Sequence, residues 1–185
     1  MQLVEAIHAR TTVHSYAPEP VADGVVDRVL AAAHQAPCHK LTWPWRFVVV
    51  GPSTRARLLP AAFRLAELKC KGALSPKLEA RVRAKLLDPA VLIVVCQRRS
   101  DDPMRSREDY AAVSCAIQNM MLVATDAGLG SKWSTGGITQ DPEAWSVLGV
   151  DGTHEDVVGF VWVGVPAKRG RIERPALVDH VTRLP

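Results

Sequence analysis

The chain has 185 residues, of which 48% are hydrophobic and 23% charged, with a formal net charge of +4 and a sequence pI near 9.0. This composition is typical of a globular protein with one core. No apolar run reaches the ~18–20 residues that a membrane helix needs, and residues 1–5 lack the basic-then-apolar pattern of a signal peptide. We therefore expect a cytoplasmic protein with no membrane partner.

The cysteines exclude two further classes of site. They are Cys38, Cys70, Cys96 and Cys115. Because they are widely spaced, they form neither a CxxC pair for zinc nor a disulfide framework. Reduced thiols in a cytosol fit this pattern best.

The positive charges are scattered along the chain. The densest group comprises Lys69, Lys71, Lys77, Arg81, Arg83 and Lys85. Glu67 and Glu79 interrupt this group and no aromatic residues interleave with it. A solvated helix face is therefore a better interpretation than an anion-steering face, and no nucleic-acid partner is expected.

Apolar residues at helical spacing predict two helices before the first strand. Leu3 and Ile7 share one face of a short helix that ends near Arg10. A second helix follows Pro20 and ends before Pro37. Its apolar positions are Val25, Val26, Val29, Leu30 and Ala33.

A buried strand and two more helices come next. Residues 47–50 are β-branched or aromatic and end at Gly51, which indicates a buried strand. Ser53 is expected to cap a helix that runs to about Lys69. Ser75-Pro76 then pairs a capping hydroxyl with a proline at the first helical position, and apolar residues recur every four residues after it.

The middle of the chain predicts a second buried strand over residues 90–96 and a long helix over residues 107–127. Gly128 supplies a left-handed stop. This helix is apolar on nearly all sides, so each side must be buried by something. A partner subunit is a good candidate for one side.

The last third predicts a strand over residues 130–137 that enters a glycine-rich turn, a short helix from Asp141-Pro142, and a strong strand over residues 157–165. A basic segment and an apolar tail follow. With no repeats or linkers, one α+β domain covering residues 1–185 is the economical prediction.

The loop over residues 36–47 carries the most informative cluster of side chains. It places His39, Lys40, Trp43 and Trp45 on a backbone stiffened by prolines. Such a loop suits a flat, anionic ligand, but it can equally be a turn whose tryptophans cap the core.

Two other segments can bind a ligand. Arg10 ends a helix and is followed by hydroxyls, a pattern that can hold phosphate or can simply be a polar helix terminus. Residues 128–137 are glycine-rich, but they match neither a Walker loop nor GxGxxG, because Trp133 occupies the last glycine position. Their backbone can approach a ligand closely, or can form a tight strand-to-helix turn.

Familiar catalytic motifs are missing. There is no GxSxG elbow and no HExxH metal helix. Cys38 and His39 are adjacent in sequence, which is poor geometry for a nucleophile and its base. We therefore expect no metal site and do not favour Cys38 and His39 as a catalytic pair.

Taken in order, residues 10–16, 36–40, 44–47, 128–136, 158–160 and 164–166 resemble the FMN-dependent nitroreductase family, in its short subgroup with an Ala-Pro-x-His-Lys motif. The resemblance covers essentially the whole chain. It implies an α+β nitroreductase-like fold, with a mostly antiparallel sheet flanked by helices. It also implies an interlocked homodimer with two FMN sites at the subunit interface.

The resemblance also implies the cofactor-binding residues. They would be Arg10, Thr11, Thr12, His14, Gln35, Pro37, His39, Trp133, Ser134, Thr135 and Gly136, with Arg171 or Arg174 at the FMN phosphate. Arg10 and Thr12 would contact the phosphate and ribityl region. Residues 35–39 would lie near the flavin of the partner subunit's site, and residues 133–135 would approach from the other side. His14 stands where many members carry lysine or arginine near the flavin N1–O2 edge.

The implied activity is ping-pong hydride transfer from NAD(P)H through FMN to a nitroaromatic, quinone or similar small acceptor. FMN carries the chemistry, and the protein orients it and tunes its electrostatics, in part through His14. Alternatives are dehalogenation, enone reduction or flavin breakdown with the same cofactor, a flavin-binding or storage protein, and an unrelated α+β domain. The choice between NADH and NADPH stays open, with Arg55, Arg57, Arg64, Lys69 and Lys71 as unassigned cations.

Overall fold

A four-stranded antiparallel sheet organises the chain in the computed structural model, which describes all residues from 1 to 185. The strands are β1 (Trp45–Val49), β2 (Val91–Arg98), β3 (Gly130–Ser134) and β4 (Glu155–Gly164). Their order across the sheet is β1-β2-β4-β3, and each neighbouring pair is antiparallel. The two longest strands therefore lie in the centre, and β1 and β3 form opposite edges.

Seven α-helices surround the sheet. They are α1 (Leu3–Ala9), α2 (Asp23–His34), α3 (Pro52–Arg57), α4 (Leu59–Cys70), α5 (Pro76–Leu87), α6 (Pro103–Asp126) and α7 (Pro142–Leu148). Short 3-10 turns occur at His39–Leu41, Gly137–Gln140 and Leu177–His180. None of the helices combines the length and the apolar character needed to cross a membrane.

The sheet separates two apolar cores. On one face α2 and α6 pack through residues such as Val29 and Met120. On the other face lie α3, α4, α5 and α7, with Leu58 and Phe160 among the most buried side chains. Successive residues of β2 alternate between these cores, because side chains alternate across a strand. This double burial explains why β2 is one continuous apolar run in the sequence.

The α+β class and the antiparallel sheet flanked by helices are confirmed, as are most of the predicted elements. The single helix from Ser53 to Lys69 is wrong. The structure divides it into α3 and α4, and Gly51, not Ser53, is the N-cap of α3. Pro60 explains the break, because a proline in a continuous helix lacks the N–H that would bond to Ala56.

The predicted start of the long helix at Arg107 is also wrong. Helix α6 begins at Pro103, after Asp102. The Asp102 carboxylate accepts hydrogen bonds from the backbone N–H groups of Met104 (2.9 Å) and Arg105 (3.4 Å). An aspartate followed by proline is a strong helix start, because the side chain satisfies free N–H groups and proline lacks one.

The segment after α1 extends the sheet at its β3 edge. Thr12 bridges Ser131 of β3, and the Val13 N–H donates to the Ser131 carbonyl at 3.0 Å. Further on, Tyr16 bridges Pro166, and the Ala17 N–H donates to the Val165 carbonyl at 2.9 Å. Residues 12–17 therefore run between β3 and the chain that leaves β4.

Gly159 of β4 lies under the Trp133 side chain. A Cβ at this position would lie 2.2 Å from Trp133 Nε1 and 3.1 Å from the Ser134 carbonyl oxygen. We expect Gly159→Ala to lower the free energy of unfolding by about 1–3 kcal/mol, because the tryptophan cannot stay where it is. Urea unfolding followed by circular dichroism measures the change.

Gly24→Ala is the matched control for that experiment. Gly24 lies in α2, and a Cβ at this position would have open space around it, with nothing within 4 Å. We expect this variant to be about 0.5–1 kcal/mol more stable than the native chain, because alanine restricts the unfolded backbone. Equal effects of the two substitutions would contradict the tight packing at Gly159.

Candidate functional site

A cleft of about 700 Å³ lies on the β3 side of the sheet. Residues 14–16, Lys132 of β3 and Trp162 of β4 form one wall, and α4 and α5 form the other. Its lining is His14, Ser15, Tyr16, Ala66, Lys69, Cys70, Leu78, Arg81, Val82, Ala84, Lys85, Asp88, Pro89, Lys132 and Trp162. A concave site of this size is in the range that binds small molecules and cofactors.

Strand alternation brings His14 and Lys132 together in the cleft. Val13 is buried and packs against Gly130, so its neighbour His14 points the other way. Ser131 is buried in the same way, and the next residue, Lys132, lies with its Nζ 3.4 Å from His14 Nδ1. Burial, followed by the positive charge of Lys85, lowers the pKa of Lys132.

Three further cations line the opposite wall. Lys69 comes from the end of α4, and Arg81 and Lys85 lie one turn apart on α5. Burial lowers the pKa of Lys85, and the charges of Lys69 and Arg81 lower it further. Asp88 is the single carboxylate in the lining, and neither it nor any of the four lysines and arginines there forms an ion pair.

The six lysines and arginines of residues 69–85, which the sequence predicted to form a solvated helix face, therefore separate into two sets. Lys71, Lys77 and Arg83 lie outside the cleft, and Arg83 instead pairs with Glu79 and lies over the Phe63 ring. The other three members of the group line the cleft with Lys132. Excess positive charge in a concave, partly desolvated site attracts anions.

Two aromatic side chains complete the cleft. The Tyr16 hydroxyl donates to the Val13 carbonyl at 3.2 Å, and burial raises the pKa of Tyr16, so the phenol stays neutral. Trp162 is buried, and its indole N–H has no hydrogen-bond partner; the Ser131 hydroxyl is likewise buried and unpaired. Unpaired buried polar groups are costly and indicate a missing partner such as a ligand or water.

The predicted residues of the first and third segments lie close to one another. Arg10 is the C-cap of α1, and Thr11 and Thr12 follow where the chain joins β3. Ser134 ends β3, and Thr135 and Gly136 lie exposed beyond it. The backbone pairing of Thr12 with Ser131 thus brings residues 10–14 beside residues 130–134.

Trp133 does not reach the cleft. Its side chain packs on the core formed by α2 and α6, and its Nε1–H donates to the Val158 carbonyl at 3.4 Å. Because Lys132 and Trp133 point to opposite faces of the sheet, only Lys132 lines the cleft. The sequence pattern predicted the tryptophan as a site residue and did not indicate the lysine beside it.

The second predicted segment lies far from the cleft within one chain. His39 Nε2 is 3.9 Å from a carboxylate oxygen of Glu108, near the start of α6. The chain's own N-terminus pairs with Asp126 at the other end of α6, at 2.8 Å. The helix rises about 27 Å between Glu108 and Asp126. His39 is thus not brought to Arg10 within one copy of the chain, and neither Gln35 nor Pro37 lines the cleft.

The loop that holds His39 has an unusual backbone. Lys40, Leu41 and Trp43 all have positive φ, at 53°, 52° and 39°. The Thr42 hydroxyl donates to the buried Asp109 carboxylate at 2.7 Å, and the Trp43 N–H donates to Cys38 Sγ at 3.0 Å. Strained conformations of this kind persist only where the surrounding contacts hold them.

The two tryptophans of this loop have different environments. Trp45 is buried, donates to His34 Nδ1 at 3.1 Å and stacks on Phe47, so it belongs to the core. Trp43 is 48% exposed and presents its ring to solvent. Of the two interpretations that the sequence left open, core packing applies to Trp45 and a ligand-facing surface is available only at Trp43.

The predicted phosphate cations at the C-terminal end are exposed. Arg171 and Arg174 make no hydrogen bond or ion pair within the chain, and residues 170–185 are all exposed. Arg169, just before them, donates to the Gly128 carbonyl at 2.7 Å and holds the start of this segment beside the end of α6. The structure brings neither Arg171 nor Arg174 into the cleft.

A sequence profile described as "Nitroreductase family" matches residues 7–165, which is most of the chain. The chain belongs to the nitroreductase family. The profile includes both Arg10–Thr12 and the β3 region, so the resemblance inferred from the ordered segments is confirmed.

Relatives of this nitroreductase-family chain match it over nearly its full length. A Bacillus subtilis protein named "Putative NAD(P)H nitroreductase YfhC" is 30% identical over 184 residues, which are 98% of this chain and 94% of the relative. An Escherichia coli K12 protein named "Putative NAD(P)H nitroreductase YdjA" is 24% identical over 160 residues, which are 86% of this chain and 85% of the relative.

Solved structures confirm the nitroreductase-like fold. A nitroreductase-like family protein from Bacillus cereus has a TM-score of 0.83 at 22% identity, covering 100% of this chain and 96% of that chain. A "putative nitroreductase in complex with fmn" from Desulfovibrio desulfuricans has a TM-score of 0.79 at 26% identity, covering 100% of this chain and 98% of that chain.

Proposed function

We propose that this chain is an FMN-dependent oxidoreductase that takes hydride from NAD(P)H and passes electrons to a nitroaromatic, a quinone or a similar small acceptor. The observation that carries the proposal is the cationic cleft at the junction of residues 12–16 and β3. Two comparisons support it. The relative YfhC is named for NAD(P)H and nitroreduction, and the Desulfovibrio desulfuricans structure contains FMN.

The residues of the cleft fit FMN. The cofactor has a flat ring, an anionic phosphate and a ring edge that becomes more negative on reduction. The cleft supplies about 700 Å³ of space, an excess of positive charge, and an unpaired N–H donor at Trp162. The space suits the flat ring, and the positive charge and the N–H donor suit the phosphate and the ring edge. Contacts within the chain do not satisfy this charge or this donor.

Each predicted residue has a role in this proposal. Bound FMN supplies the hydride chemistry, so no acidic or basic side chain is required. Arg10, Thr11 and Thr12 hold the phosphate and ribityl region, and His14 with Lys132 places positive charge at the N1–O2 edge. The backbone of residues 133–136 approaches the ring from the β3 side.

We also propose that the working unit is a homodimer. His39 lies about 27 Å along α6 from the end that meets α1 and β3, and neither Gln35 nor Pro37 lines the cleft, so a second copy is needed to bring these three residues to the flavin. Exposed apolar side chains on three elements are available for that copy. They are Leu3, Val4 and Ile7 of α1, Tyr110, Ala111 and Cys115 of α6, and Leu177, Val178 and Leu184 of the tail.

Several large apolar side chains exposed on a monomer favour an interface. The C-terminal tail supports such an interface, because residues 170–185 are exposed along their whole length and contain several large apolar side chains. A two-fold interface uses the same patch on both copies. In such a dimer, Arg171 or Arg174 of the tail reaches an FMN phosphate.

Anaerobic reduction tests the oxidoreductase directly. We expect the purified protein to be yellow, its visible flavin absorbance to bleach on addition of NAD(P)H, and the colour to return on addition of a nitroaromatic or a quinone. A yellow protein that neither nucleotide bleaches would instead be a flavin-binding protein, and a colourless protein that does not take up added FMN would overturn the proposal altogether.

The midpoint potential of the bound FMN tests the roles of His14 and Lys132. We expect Lys132→Met to lower it by about 30 mV, which is a tenfold change for a two-electron couple. We expect His14→Ala, measured from about pH 5 to about pH 8, to lower it as well, because an imidazole can carry positive charge. Lys77→Met, in the first turn of α5 and outside the cleft, is the control and leaves the potential unchanged.

An unchanged potential in His14→Ala over the whole range would show that His14 does not contribute positive charge at the flavin. An unchanged potential in Lys132→Met would likewise remove Lys132 from the N1–O2 edge.

A charge on the exposed side of α6 tests the dimer. We expect Ala111→Arg to weaken association by about 3–5 kcal/mol, because it buries an uncompensated charge in the interface. Sedimentation would then show monomers with substoichiometric FMN. Ala80→Arg, at an exposed position of α5, is the matched control and keeps both dimer and flavin. A monomer that retains one FMN per chain would contradict the proposal.

A further inference from the structure

The cleft has more positive charge than the flavin edge uses. His14 and Lys132 stand together on the sheet wall, whereas Lys69, Arg81 and Lys85 stand on the helical wall opposite them. These three cations, here called the α4–α5 triad, have no ion-pair partner within the chain. FMN contains one phosphate, for which Arg10 and Thr12 at the end of α1 are already available.

The helical wall is one continuous face of α5. Leu78, Arg81, Val82 and Lys85 follow the spacing of neighbours on a helix, and all four line the cleft. Like charges one turn apart on such a face repel each other. Burial lowers the pKa of Lys85, and the nearby charges of Lys69 and Arg81 lower it further.

The other cations that the sequence offered for nucleotide selection have different positions. Arg55 is buried and donates to the carbonyls of Pro89 and Ala90. Arg64 pairs with Asp141 at 2.6 Å and Glu143 at 3.1 Å. Arg57 and Lys71 lie outside the cleft. Of those five candidates, only Lys69 lines it.

We propose that the α4–α5 triad of Lys69, Arg81 and Lys85 binds the 2′-phosphate of NADPH and makes this chain prefer NADPH to NADH. The inference rests on the proposed function, because it assigns a nucleotide to the reductive half of that reaction. A phosphomonoester dianion suits three converging cations, and Arg81 can hold two of its oxygens at once.

The triad has a further consequence for the protein without nucleotide. Since Arg81 and Lys85 repel each other on the same helical face, the free cleft is destabilised by its own charges. A bound phosphate removes that repulsion. Neutralising one member should therefore leave the free protein at least as stable as before, while abolishing the stabilisation that a phosphate brings.

Calorimetric titration of the purified full chain with 2′,5′-ADP and with 5′-AMP tests the proposal without any turnover. We expect 2′,5′-ADP, which carries the 2′-phosphate, to bind at least about tenfold more tightly than 5′-AMP, with an advantage that shrinks as salt is added. In Arg81→Gln and in Lys85→Gln the advantage disappears. The melting temperature of each free variant is no lower than that of the native chain.

Lys77→Gln is the matched control. Lys77 lies on α5 outside the cleft, so this variant keeps the preference for 2′,5′-ADP. Equal binding of the two nucleotides to the native chain would overturn the proposal, as would an equal loss in the control. Inorganic phosphate that stabilises the protein as much as 2′,5′-ADP does would show an anion site that does not recognise the nucleotide, and would also overturn it.

Two further measurements separate this inference from the proposed function. We expect the ratio of kcat/KM for NADPH to that for NADH to fall at least about tenfold in Arg81→Gln. If neither nucleotide reduces the flavin, the proposed function fails, but the 2′,5′-ADP titration still decides whether the triad binds the phosphate. If Arg81→Gln weakens the binding of FMN to the flavin-free protein instead, the triad holds the cofactor phosphate and the NADPH proposal is wrong.

Discussion

The pairing of residues 12–17 with the sheet is the interaction on which the rest of the site depends. This short segment bonds to β3 through Val13 and to the chain after β4 through Ala17. It therefore directs Val13 into the interior and His14 to the opposite side, next to Lys132. Two glycines make the close approach possible, because a Cβ at Gly130 would lie 2.6 Å from Val13 and one at Gly164 would lie 2.9 Å from Tyr16.

The electrostatics of the cleft follow from this arrangement and from the packing of α5. Four lysines and arginines face one carboxylate, and two of those cations have lowered pKa values because burial and their neighbours disfavour their charge. A folded chain tolerates such repulsion where a ligand supplies the opposite charge. The same group of charges thus accounts for the proposed flavin site on the sheet wall and the proposed phosphate site on the helical wall.

The length of α6 explains why one copy of the chain holds only part of the proposed site. The helix separates the strained loop around Lys40 and Trp43 from α1 and β3 at its other end. Hydrogen bonds from Thr42 to Asp109 and from Trp43 to Cys38 nevertheless hold this loop in place. A rigid loop with an exposed tryptophan, far from the cleft of its own chain, is suited to contact the flavin site of a second copy.

Local patterns in the sequence determined the helices, the strands and the family, because hydrophobic periodicity, capping residues and ordered motifs act over short distances. The sequence also carries a signal for the start of α6, because Asp102-Pro103 has the same form as Asp141-Pro142, which correctly predicts the start of a helix. It likewise carries Pro60, which explains the break between α3 and α4. Only the tertiary structure decided which side chains meet. Lys132 and Trp133 are adjacent, yet one enters the cleft and the other the core. Arg81 and Arg83 lie on the same helix, yet only Arg81 lines the cleft, because the packing of α5 against α3 and α4 sets which side of the helix is turned inward.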